Sequence, residues 1–368
     1  MFSLLNIVPP AKLGYLVFRE KDFAMKISVL IPCHNEEKSI EACVLSCLNQ
    51  TRKPDQIVVV NDGSTDKSRE ILMKYYDQIT LVNLPKQTGN KSFAQQFGLK
   101  FITGDIFITT DGDTLLDKDF VKFVEENFNE NKEISALGGY VRSQKHNWIT
   151  ACRAFEYTIG QNLHKLAQHH MGFLFVIPGA AGAFKTNDFK NNIYFEHDTL
   201  TEDLDFTYRL HSLDMKIMYD MRLIAYTQDP VTLSSYMNQM RRWFGGGWQC
   251  LLKHHKLATK QPKIALELSF MYFEGFVFST LLFILPLISL KFFSYFVLSY
   301  FIMIILFAVF STIRERRLEF ILITIPYSFL VIVNSYVFLE QFIKEVLLKK
   351  RNLSWYQPER FNLGVVNK

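Results

Sequence analysis

Four runs rich in Val, Ile and Leu, KISVLIP (26–32), QIVVV (56–60), ITLVNL (79–84) and DIFITT (105–110), alternate with stretches of helical apolar spacing. No other feature constrains this chain as much, because strands separated by helices imply a parallel sheet. Asn35 is placed to cap the first helix, in which Ile40, Cys43, Val44, Cys47 and Leu48 form one apolar stripe. Further helices are expected over 66–76 and from Lys91 to Phe101. In such sheets ligands bind outside the carboxyl ends of the strands. Here those ends carry His34-Asn35-Glu36, Asn61-Asp62 and Asp111-Gly112-Asp113. Each cluster is also an ordinary turn former, but three acidic strand ends on one sheet edge point to a site. Asp111 and Asp113, with Gly112 letting the backbone come close, can offer oxygens to one hard cation, Mg2+ or Mn2+, that also binds phosphate.

The second half of the chain has another character. Residues 268–290 are apolar apart from Glu274, and 292–310 and 320–339 carry no charge. About 20 residues cross a bilayer core as helix, so a membrane region of about three helices is expected. The loop 311–319 holds Arg314, Arg316 and Arg317, which places it in the cytosol. The first two segments then form a hairpin turning near Lys291, and the large N-terminal domain is cytosolic as well. A third span would put Lys349, Lys350 and Arg351 outside, against the same rule, so that segment either spans, re-enters or lies at the interface. Residues 1–18, broken by Pro9 and Pro10, read as an interfacial foot with no cleaved signal. A net charge of +5 suits a protein beside anionic lipid and gives no reason to expect nucleic acid. Five cysteines without a C-x-x-C pair read as reduced thiols, and the His169–His170 and His254–His255 pairs lack zinc-site spacing.

Two more clusters follow the alternating region. LTEDLDFTYRL (200–210) sets Glu202, Asp203 and Asp205 at a helix start, where Thr199 and Glu202 fit a capping box. The helix dipole would lower the pKa of Asp203, so any elevation has to come from burial or acidic neighbours. Gln239, Arg242 and Trp243 lie at i, i+3 and i+4 on one helix face, an Arg fork able to pair with phosphate oxygens beside a flat apolar ring. Gly245, Gly246 and Gly247 come next; three glycines in a helix imply a bend or close packing against glycan or lipid. Residues 248–260 suit an amphipathic interface helix.

Taken in order, ISVLIPCHNEE, IVVVNDGSTD, the D-G-D of TTDGDT, T-E-D at 201–203 and Q-M-R-R-W at 239–243 resemble the inverting, GT-A-fold glycosyltransferases of family 2. The chain looks most like their membrane polysaccharide synthases, for cellulose, chitin, hyaluronan and poly-N-acetylglucosamine. PGAAGAF (178–184), DPVTLSSYMNQMRRWFGGG and WYQPER are similar to the bacterial poly-N-acetylglucosamine branch. The resemblance covers roughly 26–260 plus the tail. It implies an α/β chain: a GT-A, Rossmann-like nucleotide-sugar domain followed by an α-helical transmembrane region. The expected divisions are an N-terminal extension (1–25), the catalytic domain (26–244), an interface helix region (245–267), transmembrane helices (268–340) and a basic tail (341–368).

Residue roles follow from the same resemblance. Asp62 would contact the uridine of a UDP-sugar, with His34 and Glu36 beside the base. Lys91 would lie near the nucleotide, although Gly89-Asn90-Lys91 has one residue more than the family's Gly-Lys. Asp111 would face the ribose or donor, and Asp113 would hold the metal on the diphosphate. Asp203 matches the general base, Glu202 supports it, and Asp205 is a structural neighbour. Gln239, Arg242 and Trp243 serve the diphosphate and the acceptor terminus.

The reaction implied is transfer of a sugar, N-acetylglucosamine first among candidates, from a UDP-sugar to a growing β-linked polysaccharide at the cell membrane. The alternative is a non-processive enzyme adding one sugar to a lipid acceptor of ceramide or polyprenyl-phosphate type. A transporter or scaffold with a binding-only α/β domain fits the complete acidic motifs poorly. The chain lacks the cellulose synthase Phe-x-Val-Thr-x-Lys loop and any clear N-terminal span. Glycan export therefore calls for a homo-oligomer or an accessory subunit, or does not occur.

Overall fold

The computed structural model describes residues 25–351, 353 and 358–362. The stretch read as an interfacial foot lies outside the described residues, as do 354–357 of the tail. Strands β1 (Ile27–Cys33), β2 (Gln56–Asp62), β3 (Thr80–Leu84) and β4 (Ile106–Thr109) are joined by α1 (Ile40–Leu48), α2 (Ser68–Met73) and α3 (Lys91–Gly98). All four strands pair in parallel, as the alternation predicts. The helices are shorter than their patterns suggest, with α3 ending in a 3-10 turn over Leu99–Phe101.

Asn35 is not a cap. Its backbone is left-handed, with φ 52°, and its Oδ1 accepts from the Thr65 amide at 2.8 Å, clipping the end of β1 to the loop after β2. Helix α1 starts five residues later, at Ile40.

Beyond β4 the chain adds β5 (Thr114–Leu116), α4 (Phe120–Glu130), β6 (Ile134–Ser143) and α5 (Trp148–Ile159). A π-turn (Gly160–Lys165), α6 (Leu166–Met171), β7 (Gly182–Lys185), α7 (Thr186–Asn192), α8 (Glu202–Ser212) and β8 (Lys216–Thr227) complete this part. The sheet has eight strands in the order β3-β2-β1-β4-β7-β6-β8-β5. Its second half is mixed, since β7 runs antiparallel to both β4 and β6. Both faces are covered. Alternation along β1 and β2 sends Val29, Ile31, Ile57 and Val59 into the core under α1 and α4. Leu30, Val58 and Val60 enter the opposite core, with Phe107, Phe184 and Phe206.

The remaining helices are α9 (Leu233–Lys253), α10 (His255–Lys260), α11 (Pro262–Ile288), α12 (Leu290–Glu315), α13 (Glu319–Leu322) and α14 (Thr324–Gln341). Helices α11 and α12, of 27 and 26 residues, are long and apolar enough to cross a membrane, and the chain turns between them at Ser289. The third apolar run also forms a helix, α14, but buries Leu330, Ser335, Val337 and Gln341 and packs along α9 and α11. The stretch read as an amphipathic interface helix is divided between α9 and α10. Its apolar side chains Trp248, Cys250 and Leu257 are buried within the protein.

Candidate active site

The carboxyl ends of β1, β2 and β4 open into a cavity of about 470 Å³. Every residue the sequence put forward lines it: His34, Glu36, Asp62, Lys91, Asp111, Asp113, Glu202, Asp203, Gln239, Arg242 and Trp243. At the wall formed by the ends of β1 and β2, His34 Nδ1 donates to the Asp62 carbonyl at 2.6 Å. The Asp62 carboxylate accepts from Thr88 N at 2.9 Å and Thr88 Oγ1 at 2.8 Å, fixing the loop that leads to Lys91. Gly63 is required here: its φ is +59°, and a Cβ would lie 2.2 Å from Gln87 N.

Lys91 opens α3 and bridges two acidic motifs. Its Nζ is 2.5 Å from Asp111 Oδ1 and 3.1 Å from Glu202 Oε1. Burial opposes this ammonium, but Asp111, Glu202 and Asp203 outweigh it and raise its pKa. Lys91 is therefore charged, and it joins the D-G-D turn to the start of α8. On the far side of D-G-D stands Arg360, which sequence reasoning did not single out. Its Nη2 is 2.7 Å from Asp113 Oδ2 and 2.9 Å from Glu36 Oε1, and its Nε donates to Glu36 at 3.0 Å. The Glu36 carboxylate, at the cavity wall, is bound by Arg360 and by Ser39 Oγ at 2.8 Å. Asp113 is buried, which lifts its pKa to about 7; Arg360 pulls it down while Glu36 and Asp111 push it up.

The T-E-D helix departs from the expected cap. Thr201 is the N-cap and makes no side-chain cap hydrogen bond, so the Thr199–Glu202 capping box does not form. Glu202 has turned to the stronger partner, Lys91. Asp203 follows it into the cavity, where burial and then Glu202 raise its pKa to about 6 against the pull of Lys91 and Arg242. Asp205 faces away, meeting Arg209 at 2.6 Å and His254 and Lys253 at 2.7 and 2.8 Å. Despite burial, these partners hold its carboxyl down to about 2. It anchors α8 and takes no part in the cavity.

Helix α9 supplies the remaining wall. Gln239, Arg242 and Trp243 share a face toward the cavity, and Arg242 makes no ion pair among the described residues. The three glycines lie inside α9, and each is closely packed against another element of the protein. A Cβ on Gly245, Gly246 or Gly247 would lie 3.0 Å from Gln341 Oε1, 2.5 Å from Thr201 Oγ1 and 2.4 Å from Tyr272 Oη respectively. They seat α14, the start of α8 and α11 against α9.

Residues 28–187 match the family model described as glycosyl transferase family 2. The chain carries a family 2 glycosyltransferase domain. It is 28% identical over 260 residues to a poly-beta-1,6-N-acetyl-D-glucosamine synthase of Staphylococcus epidermidis, covering 70% of this chain and 63% of that one. The same enzyme of Staphylococcus aureus (strain COL) is 27% identical over 243 residues, covering 65% and 59%. The chain thus spans about three-fifths of the length of these curated relatives. Among solved structures, the mannosyltransferase PcManGT of Pyrobaculum calidifontis superposes with a TM-score of 0.59 at 17% identity, over 90% of this chain and 89% of that one. S. aureus TarS 1–349 gives 0.51 at 18%, over 93% and 100%. At these identities the structural matches establish the GT-A-like fold, an α/β sheet followed by helices.

Within this glycosyltransferase domain, Asp113 and Glu36 are buried and Asp111 partly so, with Arg360 held by the first two and Lys91 by Asp111. Carboxylate oxygens are the ligands a hard divalent cation takes, and one bound here would compete for them with Arg360 and Lys91. Glu196, Asp198 and Asp205 bring their carboxylate oxygens close together outside the cavity, where Lys253 and Arg209 pair with them. Besides Arg360, the sequence reading missed Lys165, which lines the cavity from the π-turn, and the burial there lowers its amine to about 8. A π-turn in a helix is a frequent mark of a functional wall, but it leaves no readable trace in sequence.

Proposed function

We propose that this chain is a membrane-bound inverting glycosyltransferase that moves a sugar, N-acetylglucosamine, from its UDP donor to a growing β-linked polysaccharide. One observation carries the reading: Asp203, a partly buried carboxylate with a pKa of about 6, shares a single cavity with Lys91 and the D-G-D turn. A base poised near neutrality can take the acceptor hydroxyl's proton as that oxygen attacks the anomeric carbon opposite the diphosphate. Asp62 and His34 line the end where the uridine would lie, and Asp111 would face the ribose. Asp113, with Asp111 and Glu36 near it, would hold Mg2+ or Mn2+; the archaeal mannosyltransferase of similar fold was solved with GDP-Man and Mn2+. When bound, the cation would neutralise charge on the departing diphosphate. Arg242 supports the same charge from α9, and Trp243 offers its ring to the acceptor sugar.

The relatives' names support N-acetylglucosamine and a polymeric product. Helices α11 and α12 support a membrane location, with the catalytic domain on the cytosolic side where Arg314, Arg316 and Arg317 lie. The second reading, a single sugar placed on a lipid, is favoured by a mostly apolar cavity of about 380 Å³ between α9, α11, α12 and α14. It shares Phe175, Leu204, Trp243 and Met271 with the catalytic cavity, so a lipid chain would have room beside the base. Detergent-purified protein supplied with radiolabelled UDP-N-acetylglucosamine decides between the two. A ladder of saccharides is expected, lost in Asp203→Asn by about 10²–10⁴-fold. A lone glycolipid refutes polymer synthesis, and full turnover by Asp203→Asn removes it as the base.

A further inference from the structure

Behind the acceptor face of the cavity lies a buried ionic knot that the reaction above does not use. Arg153, on α5, is almost fully buried at 3% exposure. Its Nη1 pairs with Glu156, its Nη2 donates to Tyr157 Oη at 3.1 Å, and its Nε lies 3.4 Å from Asp229 Oδ1. Tyr157 Oη also donates to Asp229, at 3.1 Å. The guanidinium carbon stands 4.5 Å from the centre of the Trp243 ring, with the Tyr157 ring at 4.7 Å. Glu156 extends the knot: Tyr236 Oη reaches it at 3.4 Å and Asn334 Nδ2, from α14, at 3.3 Å.

Stability does not explain such an arrangement. Buried ion networks can commonly be replaced by apolar residues of similar volume without loss. What the knot does provide is direction. A planar guanidinium held at three points, two on its own helix and one at Asp229 after β8, offers a fixed plate, and an indole ring rests on that plate by cation–π attraction. Trp243 is itself only partly buried and borders both the catalytic cavity and the apolar cavity beside it. An unsupported indole at this junction would sample several rotamers; one backed by Arg153 would not.

We propose that Arg153 is a positioning residue for acceptor recognition, acting through Trp243, with Asp229, Tyr157 and Glu156 fixing its guanidinium. This rests on reading Trp243 as the platform for the acceptor sugar. Lysine at 153 keeps the charge but has neither the plane nor the fork, so Arg153→Lys separates orientation from electrostatics.

The test uses full-length protein in detergent, UDP-N-acetylglucosamine and a short β-1,6-linked N-acetylglucosamine oligosaccharide. KM for each substrate is measured for wild type, Arg153→Lys, Trp243→Ala and the double variant. Arg153→Lys is expected to raise the acceptor KM about tenfold and the donor KM about twofold or less. In the Trp243→Ala background the same substitution is expected to add no further change, because a residue acting through another has nothing left to act on. An undiminished effect in that background, or equal shifts in both KM values, overturns the proposal. Wild type that extends the oligosaccharide, with Arg153→Lys indistinguishable from it, sinks this proposal alone. Wild type that extends none removes the acceptor reading as well.

Discussion

Replacing Gly246 with alanine should cost far more activity than stability. A Cβ there would sit 2.5 Å from Thr201 Oγ1, 2.6 Å from Cγ2 and 3.0 Å from Cβ, where ordinary contact begins at 3.4 Å. Thr201 is short and buried, so no flexible end can swing aside; the start of α8 or the whole of α9 must yield by roughly 1 Å. Overpacking of this kind costs about 1–3 kcal/mol, and the better helix propensity of alanine returns about 1 kcal/mol. The net loss of stability is therefore about 2 kcal/mol at most. Asp203 follows Thr201 by two residues, and a 1 Å misplacement of a catalytic group can cost about 10²-fold in rate.

Gly245 supplies the control. Its Cβ would meet Gln341 Oε1 at 3.0 Å, the far end of a side chain that can rotate away. Gly245→Ala should therefore melt at or above the wild-type temperature and keep a rate within about twofold of it. Initial rates with UDP-N-acetylglucosamine and thermal melts, run side by side, give the comparison. Equal rates for the two alanine variants would refute the claim that the seat of Thr201 sets the aim of Asp203.

Other measurements test other parts of the site. Because burial lifts Asp203 to about 6 and the base must be ionised, kcat should fall with unit slope as pH drops below about 6; a limb near 4 would contradict its burial. Asp205 runs the opposite way: its folded pKa of about 2 lies below the ordinary 3.8, so its stabilisation is present above 3.8 and lost as pH falls toward 2. Asp205→Asn should thus lose about 2 kcal/mol at neutral pH and converge on wild type in acid, as read by urea melts across that range. Arg360→Ala leaves two buried carboxylates without their cation and should destabilise the fold by about 3 kcal/mol; an unchanged melting temperature would mean that the Asp113 and Glu36 contacts carry no weight.

Much of this was legible in local sequence, for a physical reason. Strand identity is written in a period of two, and β1, β2 and β4 end in the polar residues that the sheet then brings to one edge. D-G-D, T-E-D and Q-x-x-R-W each lie within five residues, so their spacing survives folding. The failures all involve partners far along the chain. Glu202 reads as a cap because Lys91 is invisible as a competitor from 111 positions away. Arg360 lies 324 residues from Glu36, and nothing local in WYQPER marks one arginine for a buried role. Arg153 carries no local mark either, since the partners that bury it, Asp229 and Trp243, lie 76 and 90 positions further on. The mixed half of the sheet escaped for the same reason, since β6, β7 and β8 are paired by long returns that no single run encodes.

The contacts at the base of the helical hairpin bear on how the two halves of the molecule work together. Where α12 ends, Glu315 accepts from Arg142 at 2.9 Å and from Tyr140 Oη at 3.1 Å, and Arg314 donates to Asn162 at 2.9 Å. Lys145 pairs with Glu319 at the start of α13. The basic loop is thus pinned to β6 and the π-turn, while the turn at the other end exposes Leu287, Ile288 and Leu290. That polarity agrees with a loop held on the cytosolic side. Helix α11 meets α9 where Tyr272 packs on Gly247, and α14 meets it through Gln341 and, across Tyr236, the Arg153 knot. One helix, α9, therefore receives α14, the start of α8 and α11 on successive faces. A bilayer that holds α11 in place, with α14 packed against it, would thereby hold the base and the Trp243 ring in register, and a detergent that loosens α11 should lower kcat before it unfolds the sheet.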